Sequence, residues 1–159
     1  MQVKATHPET GETITVEISE KQYSDLEELK KDRTSRSKLQ SYIDNLDIPA
    51  DAKNLISRIL DISISIGSTI IRLGQRIIEF VVYIVSRFPN ATFGVIFGLL
   101  LGALVATIPL VGSLLGAFVM PISAAFGLAS GYMDDIRDNA LKAKVGEAVE
   151  AFSPLKGQA

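Results

Sequence analysis

Residues 88–133 read FPNATFGVIFGLLLGALVATIPLVGSLLGAFVMPISAAFGLASGYM, 46 residues without one charged side chain. That is roughly twice the ~20 apolar residues that a single helical crossing of a bilayer core requires. The run is broken near its middle by Ile108-Pro109-Leu110-Val111-Gly112-Ser113. The pattern predicts a transmembrane helical hairpin over 89–133, with arms at 92–107 and 112–132. A hairpin buried wholly inside protein is the other solution to the same pattern. The first arm, at ~16 residues and ~24 Å, is short for a ~30 Å core, so it must extend back through Phe88 or thin the bilayer.

Charges bracket this block. Seven Lys/Arg and ten Asp/Glu precede residue 51, five and three occupy 51–88, and four and five follow residue 133. Cations on both flanks (Arg87 before; Arg137, Lys142 and Lys144 after) favour both ends on the cytoplasmic face. No apolar segment follows Met1, so no cleavable signal peptide is expected. The localisation this implies is a bacterial inner membrane with the N-terminal module in the cytoplasm. With no cysteine, disulfides, thiolate metal sites and cysteine nucleophiles are excluded.

The fold class expected is a mainly α membrane protein. Val3 and Ala5, then Ile14, Val16 and Ile18, alternate around Pro8-Glu9-Thr10-Gly11 and predict a β-hairpin. Ser19-Glu20-Lys21-Gln22 is a capping box opening a short helix, and a second follows at 35–46. Residues 1–48 thus read as a soluble ββαα module, too small to be stable unaided. Pro49 starts one long amphipathic helix over 49–88, in which Gly67 and Gly74 are tolerated interruptions. Ile62-Ser63-Ile64-Ser65-Ile66 alternates like a strand, but its flanks are helical in period. Residues 134–159 form a polar helix and tail.

Three patterns carry candidate function. Gly94, Gly98 and Gly102 recur every fourth residue, as do Gly112 with Gly116 and Gly127 with Gly131. Such spacing clears one helix face and lets backbones approach, either between the two arms or between subunits of a homo-oligomer. On the long helix Asn54, Arg58, Asp61, Ser65, Ser68, Arg72, Gln75 and Glu79 step by four and three, a single polar stripe. Arg76 lies three residues from Glu79 and can pair with it. The stripe fits a helix on the membrane surface, an extramembrane bundle, or the wall of an aqueous pore. Finally Lys30, Lys31, Arg33, Arg36 and Lys38 cluster with Thr34, Ser35 and Ser37 between them. Cations with hydroxyl donors suit phosphates or anionic headgroups; a solvated helix connection is the plain alternative.

No enzyme is expected. His7 is the sole histidine, and no phosphate-loop motif is present. No cofactor or metal is implied.

The uncharged Gly/Ala-rich segment 92–132 resembles the hydrophobic hairpin of colicin-type pore-forming toxins. The plan of the whole chain resembles small glycine-zipper membrane effectors of bacteria, and among them the transmembrane channel protein of Hailong-type antiphage defence systems. That resemblance implies an oligomeric ion channel in the lipid bilayer, held closed by short single-stranded DNA. It also implies that Lys30, Lys31, Arg33, Arg36 and Lys38 sense the ligand. The function expected is a pore that depolarises the bacterial membrane, gated by its N-terminal module binding a polyanionic ligand such as a DNA oligomer, in antiphage defence. A non-conducting scaffold recruiting a protein partner, or a holin-like lysis protein, is the alternative.

Overall fold

The computed structural model describes residues 1–31, 33–127 and 139–157. Strands β1 (Gln2–Thr6) and β2 (Thr13–Glu17) form the expected hairpin, with Val3 opposite Val16 and Ala5 opposite Ile14. His7 shapes its turn. The imidazole Nδ1 accepts the amide N–H groups of Glu9 and Thr10 at 3.1 and 3.2 Å, and Gly11 takes the left-handed φ of 74° that closes the loop. Ser19 and Gln22 cap α1 (Glu20–Ser24) reciprocally, as their spacing predicts. Helices α2 (Glu27–Lys30), α3 (Arg36–Asp44) and α4 (Ala50–Leu60) follow.

The single helix expected over 49–88 is two helices separated by a hairpin. After α4 come β3 (Ile64–Ile66) and β4 (Thr69–Ile71), then α5 (Leu73–Arg87). Gly67, at φ 59°, holds the first position of the two-residue turn Gly67-Ser68, where a hairpin demands a residue without Cβ. The alternation at 62–66 decides the local structure. Ile62, Ile64 and Ile66 are buried, while Ser63 is exposed and Ser65 half-buried. Strand β3 pairs with β1, Val3 opposite Ile66 and Ala5 opposite Ile64, giving a four-stranded antiparallel sheet of order β2-β1-β3-β4. Residues 1–48 are therefore not a module apart, because β1 is completed by a strand from beyond residue 60. Gly74 is no tolerated interruption either. Its amide donates to the Ile62 carbonyl, and a Cβ there would sit 1.7 Å from the Ile59 carbonyl oxygen, so only glycine lets α5 start against the end of α4.

The charge-free block forms α6 (Phe93–Thr107) and α7 (Pro109–Ala125), joined at Ile108. Thr92 caps α6 through its hydroxyl and Pro109 occupies the first turn of α7. Helix α8 (Asn139–Phe152) and a 3-10 turn (Ser153–Lys156) close the fold. Helix α6 is its centre, packed against α5, α7 and α8 together. Phe97, Leu100, Leu101 and Leu104 are sealed from solvent. A helix surrounded in this way needs no polar face.

This corrects the membrane reading. Among the described residues no helix is long and apolar enough to cross a membrane. Helix α6, 15 residues long, rises only ~22 Å against the ~30 Å of a bilayer core. The apolar surface that suggested lipid is satisfied within the chain by α5 and α8. The transmembrane hairpin, the ion-channel assignment and the inner-membrane localisation all rested on that span and are overturned with it. The architecture is mainly helical around a small antiparallel sheet, with one continuous core running from Val3 to Leu155.

Candidate functional site

The proposed polar stripe is dispersed by the fold. Arg58 and Asp61 lie at the end of α4, Ser65 on β3, Ser68 in the turn, Arg72 before α5, and Gln75, Arg76 and Glu79 on α5. Arg58 pairs with Glu9 at 3.1 Å and lies over the Phe118 ring, 5.2 Å from its centroid. No common face or lumen wall joins these residues.

The glycines part company too. Gly94 and Gly98 are buried in α6, and Gly102 is half-buried. A Cβ on Gly94 would meet the Phe126 ring at 2.6 Å, and one on Gly112 would meet the Val105 carbonyl at 3.0 Å. These two bring α6 and the α7 segment together within one chain. Gly116 faces open space, and Gly127 ends α7 with a φ of 68°. Gly131 lies outside the described residues.

What the fold does gather is a corner where Lys31 and residues 33–36 meet the start of α5. Arg76, 1 % exposed, is its anchor. Its Nη1 donates to the Lys31 carbonyl, and its Nη2 pairs with Glu79 at 3.1 Å. Glu79 in turn accepts the Thr34 amide at 3.0 Å. A buried ion pair of this kind is costly to leave half-made, so it holds the connection against α5. The i, i+3 spacing predicts the pairing; its hold on the backbone of Lys31 and Thr34 is a tertiary fact.

The basic cluster is divided by the same corner. Lys30 pairs with Glu27 at 3.2 Å and sits 3.6 Å above the Tyr23 ring centroid; Arg33 pairs with Glu28. Arg36 makes a fork on Asp61, Nε to Oδ1 at 2.6 Å and Nη2 to Oδ2 at 3.2 Å. Lys31 and Lys38 are exposed and form no ion pair among the described residues. Three of the five cations are thus committed to carboxylates, and the cluster is not a uniform basic patch.

Two clefts meet at Thr34. One, of about 460 Å³, is lined by Thr34, Ser35, Arg36, Arg72 and Gln75; the other, of about 270 Å³, includes Arg33, Arg76, Glu79, Phe80 and Tyr83. Ser35 caps α3, accepting the Lys38 amide at 3.3 Å. The sequence reading separated Arg72 and Gln75 from Arg36, because it set them on a rod and not beside the α3 N-terminus. Among the described residues no cluster of acidic or histidine side chains could hold a metal ion.

A second surface was not foreseen. The outer side of α7 exposes Ser113, Ala117, Met120, Pro121 and Ala124, with Met120 82 % exposed. Pro121, Ala124 and Ala125 line a groove of about 380 Å³ with Asp51, Asn54 and Leu55 of α4. The signal for it was the charge-free run itself, read instead as contact with lipid. No protein-family model matches the chain, and comparison with curated proteins and with solved structures returns no match.

Proposed function

We propose that the protein is a non-catalytic assembly module, pairing with a second copy of itself through the uncharged outer face of α7. The observation that carries this reading is Met120, a large apolar side chain 82 % exposed on a helix with no charged residue. Exposed apolar groups gathered on one face mark association sites more often than isolated ones do. The Pro121–Ala124–Ala125 groove lies within a turn of Met120 on the same helix. A twofold axis crossing α7 would therefore bring each Met120 over the partner's groove, the self-complementarity that an isologous dimer needs. A thioether side chain suits an irregular groove, because it is unbranched and adaptable. The outer face of α7 carries no charge that pairing would strip of water; the one charged wall of the groove among the described residues is Asp51 on α4, which is exposed.

Sedimentation of the full chain over a range of concentrations tests this. A dimer is expected, and Met120→Lys should give a monomer of unchanged helix content. A wild-type chain that stays monomeric at the highest attainable concentration would sink the reading. A stable dimer indifferent to Met120→Lys would move the interface elsewhere.

A further inference from the structure

We infer that β2 is a docking edge, open to an extended, cation-bearing segment of another protein as a fifth strand of the sheet. The backbone pairing fixes which way β2 points. The Met1 ammonium donates to the Ile18 carbonyl and the Ile18 N–H returns a bond to the Met1 carbonyl, both at 2.8 Å. At the other end the His7 N–H donates to the Glu12 carbonyl at 2.8 Å. In an antiparallel ladder such closed pairs alternate with open ones, so Ile14 and Val16 close onto β1. The N–H and C=O groups of Thr13, Thr15 and Glu17 therefore point away from the sheet, and no hydrogen bond reaches them among the described residues. Edges of this kind are ordinarily blunted by shortness, proline, a bulge, lysine or a covering element. The opposite edge is protected: β4 has three residues, α2 packs beside it, and Tyr23 holds the Thr69 hydroxyl at 2.9 Å. Strand β2 has five residues in unbroken register, Thr-Ile-Thr-Val-Glu, with neither proline nor lysine.

Charge points to the occupant. Strand β2 and the turn before it carry Glu9, Glu12 and Glu17 and no Lys or Arg. Arg58 answers Glu9, and the Met1 ammonium lies 3.4 Å from Glu17, whose side chain stays 59 % exposed. Glu12 is exposed and makes no ion pair among the described residues. Lys4 stands opposite Thr15 but on β1, one strand (~4.8 Å) further from any addition. A second copy of β2 fits poorly. Pairing antiparallel about Thr15, it would set Glu17 opposite Thr13 and diagonal to Glu12 at both ends, like charges side by side. A segment with Lys or Arg at its ends meets these carboxylates instead, and its alternate apolar residues continue the half-buried row of Ile14 and Val16. The edge is distinct from the outer face of α7, and the inference stands whether or not that face pairs.

The probe is a capped, fluorescently labelled peptide, Lys-Val-Thr-Val-Thr-Val-Lys, titrated against the full chain by anisotropy, with amide exchange read by NMR. It should bind, weakening as salt rises, and it should protect the Thr13, Thr15 and Glu17 amides, which exchange freely without it. The same peptide ending in glutamates should bind about tenfold more weakly. Thr15→Pro deletes an outward N–H and keeps the bonds of Ile14 and Val16 to β1; it should weaken binding about tenfold, the loss of one backbone hydrogen bond. Should proline loosen the hairpin, Thr15→Lys decides, because this exposed change keeps the backbone and sets a cation against a cationic segment; binding should fall by a similar factor. Met120→Lys should bind as wild type does, and a loss there would put the peptide on α7 and overturn the inference. Failure of the wild-type chain to bind the peptide would also overturn it. So would equal binding of Lys-Val-Pro-Val-Pro-Val-Lys, which has the same charge but cannot pair as a strand.

Discussion

Helices α6 and α7 are nearly twins in sequence and opposites in surroundings. Both lack charge and both are rich in Gly, Ala, Leu and Val. Helix α6 is apolar on all sides because α5, α7 and α8 cover it. Helix α7 is apolar on one side and merely uncharged on the other, where Ser113, Ala117, Pro121 and Ala124 meet solvent. A count of charges does not separate these cases from each other or from a lipid-facing helix. The useful distinction is size. Large side chains turn inward on both helices, and the outer face of α7 is built from small ones, with Met120 the exception.

The contrast can be broken most forcefully by truncation. Phe97→Ala, at the sealed centre of α6, should cost ~3–5 kcal/mol in urea unfolding, whereas Met120→Ala should stay within ~0.5 kcal/mol for the monomer. Equal losses would mean that α7 is as deeply covered as α6. Glycine replacements sharpen the same point. Gly94→Ala must displace the Phe126 ring, an overpacking that should cost ~1–3 kcal/mol. Gly116→Ala meets nothing, and the gain in helix propensity should stabilise the fold by up to ~1 kcal/mol. If Gly116→Ala proves as harmful as Gly94→Ala, the outer face of α7 is occupied within the chain. The smallest effect is at the start of α6, where the Tyr42 ring packs 6.2 Å from Phe93. Burial raises the phenol above its ordinary value of 10.0, so the folded state holds that proton more tightly than the unfolded chain. This stabilisation is complete below pH 10.0 and is lost as pH rises further, which denaturant titrations on either side of that pH would read.

Local chemistry made much of the fold legible. The first hairpin, the Ser19–Gln22 capping box, the break at Pro109 and the Arg76–Glu79 pairing follow from residue type and spacing. The hairpin at 64–71 was signalled by alternating isoleucines and a Gly-Ser turn. Its strands, three residues each, were outweighed by helical period on both sides. Treating 49–88 as a rod then gave the polar residues a 3.5 spacing with no physical meaning, since they stand on two helices and a hairpin. That error hid the corner where Arg36, Arg72 and Gln75 meet, because its walls are separated by more than thirty residues of chain. The cover over α6 was hidden for the same reason, since α5 and α8 lie on either side of it in sequence and close over it only in three dimensions.

Native-state hydrogen exchange of the full chain in detergent-free buffer addresses the interior position of α6 most directly. A helix enclosed by three others opens only with the whole molecule, so its central amides, from Phe97 to Leu101, should exchange at the global unfolding limit. Exchange of those amides ahead of the α5 and α8 amides, or protection that develops only when micelles are added, would contradict the packing described for this helix.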